Sequence, residues 1–155
     1  MENKKCSFFG HREISLTKEL YATVSAEIEK AVDFGCRTFY FGGYGEFDGL
    51  CYKIVTELRA KNPALNIKRV YCVPLESHLR KRVRYFNPED YEETVYLKPA
   101  FDWWYKSIYY RNLAMIDDSD YIIFYADSIP SSGAYKAYKY AQGKSEKTVI
   151  NLFGA

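Results

Sequence analysis

The sequence has few of the residues from which metal and redox sites are built. It contains two histidines and four cysteines among 155 residues, and no two cysteines have the CxxC spacing. Neither an HExxH motif nor a Ser-His-Asp order is present, so the usual signatures of zinc proteases and serine hydrolases are missing. We therefore expect no metal and no cofactor. We also predict that the four cysteines are reduced, mostly buried thiols in a reducing compartment.

Long apolar runs and an excess of one charge are also lacking. No stretch approaches the roughly 20 apolar residues of a membrane span, and the first residues lead into only a short apolar run, unlike a signal peptide. The net charge is +2, from 22 Lys and Arg against 20 Asp and Glu, which is too small to make nucleic acid the default partner. These features predict a soluble, cytoplasmic protein with no membrane contact, for which nucleic acid is not the expected partner.

Apolar and aromatic side chains are abundant. Hydrophobic residues make up 48% and charged residues 27%, which is typical of a globular chain about one domain long. Aromatic residues make up 18%, with 16 Tyr and 10 Phe. Tyrosine combines an apolar ring with a polar hydroxyl and suits wet pockets and interfaces as well as cores. For an isolated domain with so many aromatic residues we expect a homo-oligomer.

Short apolar runs alternate with helical patterns along the chain. The runs that predict strands are residues 6–9, 38–41, 67–73, 121–125 and 148–152. The patterns that predict helices begin near residues 16, 47, 103 and 133 and end near residues 35, 62, 117 and 142. In the first helix an apolar stripe starts at Leu16 and recurs every four residues, and Gly35 is a plausible C-cap. Residues 75–99 are the least regular part, an excursion predicted to be a lid or an oligomer contact.

The order of these elements is βαβαβ, then the excursion, then αβαβ. Runs buried on both faces and joined by helices favour a parallel sheet with helices on both sides, and right-handed crossovers favour the strand order 3-2-1-4-5. The sequence therefore predicts an α/β fold, a single Rossmann-like three-layer domain over residues 1–155 with about five parallel strands. Ligands of such sheets bind beyond the carboxyl ends of the strands at the switch point, here between the first and fourth predicted strands.

Two of the segments expected at the switch point carry basic side chains. Gly10, His11 and Arg12 directly follow the first strand. Glycine permits a close approach of the ligand, and the His and Arg side chains donate to an anion or a base edge. Arg111 and Asn112 lie in the helix before the fourth strand, and Asn112 falls on a stripe that otherwise looks apolar. We predict that these residues contact a ligand. The alternatives are a polar surface turn and an asparagine that ties down a neighbouring loop.

The segment after the second strand is rich in glycine. It contains Gly42, Gly43 and Gly45, with Glu46 and Asp48 at the start of a helix. Accessible backbone N–H groups and a helix N-terminus make it a candidate phosphate cradle. It is neither a P-loop, because the Gly-Lys-Ser/Thr ending is missing, nor the dinucleotide fingerprint, because the glycine spacing differs. Three roles are open for the two carboxylates: capping the helix, binding ribose hydroxyls, or catalysis. Glu46 is the candidate catalytic residue.

Small and hydroxyl residues follow the fourth predicted strand. Ser131 and Ser132 precede Gly133 and Ala134 at the start of the fourth predicted helix. Serine at an N-cap followed by small residues is an ordinary helix start. The same geometry presents N–H groups and hydroxyls to an anion and lets a phosphate come close. We predict that these four residues bind the ligand.

These motifs resemble one branch of the SLOG superfamily. Residues 7–12 resemble its GHR opening, residues 41–48 match its glycine-rich segment, and residues 111–123, 132–134 and 149–152 match its second half. SLOG domains are Rossmann-like relatives of the LOG phosphoribohydrolases and of the DNA-processing protein DprA. The resemblance implies binding of a nucleotide or a nucleotide-derived signal, in a sensing or sequestering role found in bacterial stress and phage-conflict systems.

The resemblance also implies an enzymatic alternative. LOG enzymes carry a Pro-Gly-Gly-x-Gly-Thr-x-x-Glu loop, and residues 42–46 lack its threonine and its spaced glutamate, so hydrolysis in the LOG manner is not implied. The second half is also similar to nucleoside deoxyribosyltransferases, which use a carboxylate nucleophile on the sugar carbon. Here the nearest candidates are Glu46 and Asp48. We therefore expect a ligand-binding module, the alternative being a hydrolase or transferase that cleaves an N-glycosidic bond, with Glu46 attacking or protonating.

Overall fold

A parallel β-sheet organises the part of the chain that the computed structural model describes, residues 3–80, 87–99 and 106–154. The strands are β1 (Lys4–Gly10), β2 (Cys36–Phe41), β3 (Lys68–Cys72), β4 (Glu93–Val95), β5 (Tyr121–Tyr125) and β6 (Thr148–Asn151). The helices are α1 (Lys18–Phe34), α2 (Glu46–Lys61), α3 (Ser107–Asp117) and α4 (Gly133–Gln142). Short 3-10 helices cover Pro63–Leu65, Glu76–Leu79 and Pro88–Asp90. The strands of this sheet are all parallel and have the order β4-β3-β2-β1-β5-β6.

This architecture confirms the predicted α/β, Rossmann-like class. The five predicted strands are present as β1, β2, β3, β5 and β6, and they have the predicted order. The structure adds β4, a three-residue edge strand inside the segment predicted to be an irregular excursion. Only one of its three residues, Val95, is apolar, and the strand is defined by its pairing with residues 70–72 of β3. A local hydrophobic pattern therefore has no signal for it.

Helices cover both faces of the sheet because successive strand residues point into two different apolar layers. Phe8 of β1 and Phe39 of β2 pack in one core together with residues of α1 and α2. Phe9 of β1 and Tyr40 of β2 pack in a second core together with residues of α3 and α4. The domain thus has the three predicted layers. The four cysteines are buried and free, as predicted.

The ends of the first helix follow local capping chemistry. Thr17 caps α1 with its side-chain oxygen, and Gly35 ends it in the predicted left-handed conformation at φ 115°. Leu16 lies before the helix and is 60% exposed, so the apolar stripe begins one turn later than predicted. The predicted start of the third helix near residue 103 lies outside the described residues, and the described helix begins at Ser107.

The carboxyl ends of β1 and β5 form the topological switch point, as predicted. From β1 the chain continues through α1 to β2 on one side, while β5 pairs with the other side of β1. The register aligns Gly10, the last residue of β1, with Tyr125, the last residue of β5. The loops after β1, β2 and β5 therefore end at the same edge of the sheet, which is where ligands of this fold class bind.

Candidate functional site

A cavity of about 360 Å³ lies at this edge of the sheet, within the usual size range of small-molecule sites. Ten of the residues predicted to bind a ligand line it: Gly10, His11, Arg12, Gly42, Asp48, Arg111, Asn112, Ser132, Gly133 and Ala134. They come from the end of β1 and the loop after it, from the loop after β2 and the first turn of α2, from helix α3, and from the start of α4. The sheet topology therefore brings together four segments that are distant in the sequence.

Glu46, the candidate catalytic residue, faces a different surface. It is exposed, and its carboxylate accepts the backbone N–H of Ile14 at 2.9 Å. Its own N–H donates to the carbonyl of Arg12 at 2.8 Å. Its side chain lines a separate groove between α1 and α2. Glu46 thus holds the loop after β1 in place, and the carboxylate that lines the cavity is Asp48.

Asp48 reaches back from the first turn of α2 to the preceding loop. Its carboxylate oxygens accept the N–H groups of Gly42 at 3.2 Å and of Gly43 at 3.0 Å. Burial raises the pKa of Asp48 to about 6, against the lowering effect of these two N–H groups and of Arg111. The glycine amides that the sequence offers as a phosphate cradle therefore already donate to a carboxylate of the chain itself.

Arg111 anchors α3 to the ends of β2 and β3. Its Nη1 donates to the carbonyls of Gly42 at 3.1 Å and of Cys72 at 3.4 Å. Its Nε and Nη2 donate to Oδ1 of Asn112 at 3.3 and 3.2 Å. Burial lowers the pKa of Arg111, while the negative charge of Asp48 acts in the opposite direction. The guanidinium is therefore held by two backbone carbonyl oxygens and by the side-chain oxygen of Asn112.

The buried face of α3 agrees only in part with the predicted stripe, whose described residues are Tyr109, Asn112 and Ile116 and of which only Ile116 is fully buried. Arg111 is only 7% exposed and lies on the buried face with Ala114 and Met115, whereas Asn112 is partly buried and Tyr109 is exposed. A hydrophobicity pattern places arginine on the outside of a helix. Here the apolar stem of Arg111 packs inward and its guanidinium donates to carbonyl oxygens at the strand ends. The periodicity of the sequence contains no information about these acceptors.

The loop after β1 forms another part of the wall. A Cβ atom on Gly10 would overlap the ring of Phe47, which explains the glycine at this position. The Nε2 atom of His11 accepts the backbone N–H of Asp127 at 2.9 Å, so this loop is tied to the loop after β5. Oδ1 of Asp127 also lies 3.3 Å from the same nitrogen, so both the backbone and the side chain of Asp127 meet the His11 ring.

The N-terminus of α4 adds backbone N–H groups to the site. Ser132 caps the helix, its Oγ accepting the N–H of Tyr135 at 3.1 Å. Gly133 and Ala134 line the cavity, and a Cβ atom on Gly133 would meet no atom of the described residues within 4 Å. N–H groups of a first turn have no acceptor within their own helix and carry the positive end of its dipole. This end of α4 therefore suits an anion.

Three further residues that were predicted to bind a ligand, Gly43, Gly45 and Ser131, do not line the cavity. Gly43 and Gly45 have φ values of 71° and 95°. A Cβ atom on Gly43 would overlap the ring of Tyr71, and one on Gly45 would come within 3.0 Å of Cα of Arg12. These two glycines therefore shape the loop without lining the cavity. Ser131 is exposed and precedes the cap of α4.

Sequence reasoning missed five residues of the wall: Phe8, Phe9, Tyr44, Ile108 and Met115. Four of them are apolar residues of predicted strands or helices, where nothing in the sequence separates a cavity wall from a core. Tyr44 is different, because it stands between two glycines of a loop already predicted to bind. It is 49% exposed, and Cζ of Arg12 lies 4.5 Å from its ring centroid. Its position in that loop is the signal that could have identified it.

The fold and the cavity define a Rossmann-like α/β domain with a ligand-sized site at its topological switch point. Among solved structures, the chain is similar to DNA processing protein A (DprA) from Streptococcus pneumoniae. The TM-score is 0.62 at 12% sequence identity, and the match covers 99% of this chain and 51% of that one. No protein-family model matches the chain, and no curated protein matches it in sequence.

This likeness shows the fold and no activity, since one fold carries many functions. It shows a Rossmann-like fold shared with DprA, and membership of the SLOG superfamily stays a prediction. The GHR-opening branch stays a prediction. The chain spans about half the length of the DprA chain that it matches, so the properties of that whole protein do not transfer to it directly.

Membrane-spanning helices and metal-binding clusters were considered for the described residues. Across residues 3–80, 87–99 and 106–154, no helix combines the length and apolar character needed to cross a bilayer. In the same residues, no group of three or more His, Cys, Asp or Glu side chains is placed to hold a metal ion. The polar side chains that line the described cavity are those of His11, Arg12, Tyr44, Asp48, Arg111, Asn112 and Ser132.

Proposed function

We propose that this domain binds a nucleotide or a nucleotide-derived small molecule in the cavity at the switch point. One observation carries the proposal: a buried arginine, a partly buried carboxylate and the N-terminus of a helix line the same cavity of about 360 Å³. A nucleotide needs an anion site for its phosphate and acceptors for its sugar hydroxyls. The fold adds support, because ligands of Rossmann-like sheets bind at this edge.

The contacts within the protein divide the site into two parts. Asp48 has its carboxylate held by two loop amides, and we assign it to the ribose hydroxyls, which donate to carboxylates. Gly133 and Ala134 at the start of α4 are assigned to the phosphate, together with Arg12. Arg111 already donates to two backbone carbonyls. Its part is to hold the loop in the shape that presents Asp48.

A second candidate function is favoured by the environment of Asp48. Its pKa of about 6 lies close to neutrality, as is common for groups that act in catalysis. In an N-glycosidic cleavage its carboxylate would attack C1′ of the sugar. The electron pair of the C–N bond would leave with the base, which takes a proton from water, and water or an acceptor would then release the sugar. Glu46, the residue predicted from the sequence, stays a candidate and is tested beside Asp48.

The test is an incubation of the purified protein with AMP, cyclic AMP, NAD⁺ and ADP-ribose, with thermal shift and chromatography of the products measured side by side. A stabilised protein with intact ligand supports the binding module and excludes turnover of that ligand. Free base that is lost in Asp48→Asn and kept in Glu46→Gln supports the glycosidase with Asp48 at its centre. The reverse pattern returns the role to Glu46. No stabilisation and no product from all four compounds contradicts the proposal.

The oligomeric state, the cellular location and the biological role of the domain stay predictions. Self-association, a cytoplasmic location and a role in bacterial stress or phage defence come from the composition and the family resemblance. The exposed Ile108 and Ile129, at 56% and 52% exposure, are compatible with self-association. The binding proposal depends on none of the three, since it is argued from the residues that line the described cavity.

A further inference from the structure

Tyr44 is an aromatic side chain that lines the cavity and yet remains 49% exposed. Gly43 and Gly45 on either side of it have positive φ values of 71° and 95°, which residues with a Cβ atom rarely adopt. The turn at these two glycines places the ring of Tyr44 outside the hydrophobic core. Its aromatic neighbours Phe47 and Tyr71, in contrast, are buried. Burial in the core therefore does not account for the aromatic residue at position 44.

One face of the Tyr44 ring is in contact with Arg12. The guanidinium carbon lies 4.5 Å from the ring centroid, at cation–π distance. The backbone of Arg12 is fixed, because its carbonyl accepts the N–H of Glu46 at 2.8 Å, but the residue is exposed. The guanidinium can therefore leave the ring without any change in the backbone. A ring face that accepts a planar guanidinium also accepts the planar face of a nucleobase.

The other rings of the described wall are buried or held by neighbouring groups. Phe8 and Phe9 are buried, each in one of the two cores. His11 packs edge-on against two other aromatic rings, and its Nε2 accepts a backbone N–H. Tyr44 is therefore the aromatic residue of the described cavity wall with the greatest exposure. It lies in the same loop whose amides hold Asp48, the carboxylate assigned to the ribose.

We infer that the base of the ligand replaces the Arg12 guanidinium on the ring of Tyr44, so that the site selects nucleotides that keep their base over sugar phosphates. The inference rests on the proposed function. It adds a specificity-determining residue and a ligand class to that function. A site that bound only sugar and phosphate would use Asp48 and the start of α4 and would gain nothing from an exposed ring.

AMP and ribose 5-phosphate are the matched ligand pair, because they share sugar and phosphate and differ in the base. Calorimetric titration of the full chain with each compound separates the base from the rest. Tyr44→Leu removes the ring, and Tyr44→Phe keeps it and is the control variant. We expect Tyr44→Leu to weaken AMP binding about tenfold, Tyr44→Phe to stay within about twofold of the unmodified chain, and ribose 5-phosphate affinity to change less than about twofold in both.

Equal weakening of AMP and ribose 5-phosphate by Tyr44→Leu, or no weakening of either, overturns the inference and leaves the proposed function standing. Binding of neither compound to the unmodified chain shows that the proposed function has failed, and the inference fails with it. A second measurement needs no variant. 2-Aminopurine riboside 5′-monophosphate is quenched when its base stacks, so its fluorescence should fall on binding. Bound probe without quenching contradicts the inference even if Tyr44→Leu does not fold.

Discussion

Gly42 lies between two charged side chains of the described cavity wall, Asp48 and Arg111. Its N–H donates to Asp48, and its carbonyl accepts from Arg111. A Cβ atom at this position would come within 2.8 Å of the Arg111 Nη2 atom, so a larger residue would push the guanidinium away. The backbone of one glycine thus contacts both charged groups, its N–H meeting the carboxylate and its carbonyl oxygen meeting the guanidinium.

The choice between Glu46 and Asp48 shows how far single residues could be predicted. Both are carboxylates of the first turn of α2, and two positions along a helix correspond to about 200° of rotation. They therefore point to different sides, and which side meets the cavity depends on how α2 packs on the sheet. The sequence identified the kind of residue and the turn. The packing of Phe47, 1% exposed, decides the orientation, and that is tertiary information.

The raised pKa of Asp48 predicts a pH dependence of stability. The pKa is about 6 in the fold and 3.8 without it, so the folded state binds this proton more tightly than the unfolded state does. The stabilisation from the neutral carboxyl is fully present below about pH 4 and is lost as the pH rises through about 6. The loss is on the order of 2 kcal/mol, allowing for screening of a partly exposed group.

Urea unfolding of the unmodified chain and of Asp48→Asn at several pH values between about 4 and 8 measures this loss. The variant cannot ionise at position 48, so it serves as the reference for all the other titrating groups. The difference in unfolding free energy between the two proteins should shift in favour of the variant as the pH rises. A difference that stays constant over this range would show that Asp48 is not held in the environment described here.

Among the secondary-structure elements, those with internal periodicity could be predicted and β4 could not. The residues of β5 and α4 agree with the predicted ranges to the residue, because a continuous apolar run and a helical stripe specify them. The edge strand β4 has three residues and depends on pairing with β3. The orientation of α3 also differs in part from prediction, because Arg111 follows the acceptors at the strand ends and not the hydrophobic pattern.

Substitution by alanine should have opposite effects on stability at two glycines six residues apart, Gly43 in the loop between β2 and α2 and Gly49 in α2. Gly43 has φ 71°, and a Cβ atom there would overlap Tyr71. Gly43→Ala should therefore destabilise the domain by on the order of 2 kcal/mol and weaken nucleotide binding. Gly49 lies inside α2 with no described atom within 4 Å of an added Cβ. Gly49→Ala should stabilise it by about 0.5–1 kcal/mol.

Thermal unfolding followed by circular dichroism distinguishes the two variants. For a chain of this length, each kcal/mol corresponds to about 2–4 °C in the midpoint, so the two substitutions should move the midpoint in opposite directions. Gly49→Ala is the matched control for the added methyl group. A Gly43→Ala protein with an unchanged midpoint would mean that the loop can adopt another conformation, and the role of its glycines in presenting Asp48 and Tyr44 would have to be abandoned.

At the scale of the whole molecule, the topology determines the site more than any single motif does. Residues from four segments meet because β1 lies between β2 and β5, and that order follows from handedness and from the alternation of elements in the sequence. For this reason the position of the candidate site could be predicted. The proposed assignment of Asp48 to the ribose and of the start of α4 to the phosphate could not. That assignment depends on hydrogen bonds made only after the segments have packed together.

At the same scale, the net charge of the chain leads us to expect no binding of nucleic acid, although its fold is similar to that of a protein named for DNA processing. Binding a DNA backbone requires several cations placed to neutralise phosphates. The whole chain has a net charge of +2. Of the two arginines in the described cavity wall, Arg111 is buried on carbonyl oxygens, which leaves Arg12 exposed. We therefore expect single-stranded and duplex oligonucleotides of about 30 nucleotides to migrate unshifted at about 150 mM salt.

A gel-shift titration at several salt concentrations is the measurement, and stabilisation of the same preparation by AMP is the control for an active protein. Retardation that weakens steeply with salt would show that phosphates are being neutralised. That result would move DNA ahead of the small nucleotide as the partner. Unshifted DNA together with stabilisation by AMP would instead place the recognition in a single cavity, where Tyr44, Asp48 and the start of α4 each meet one part of one nucleotide.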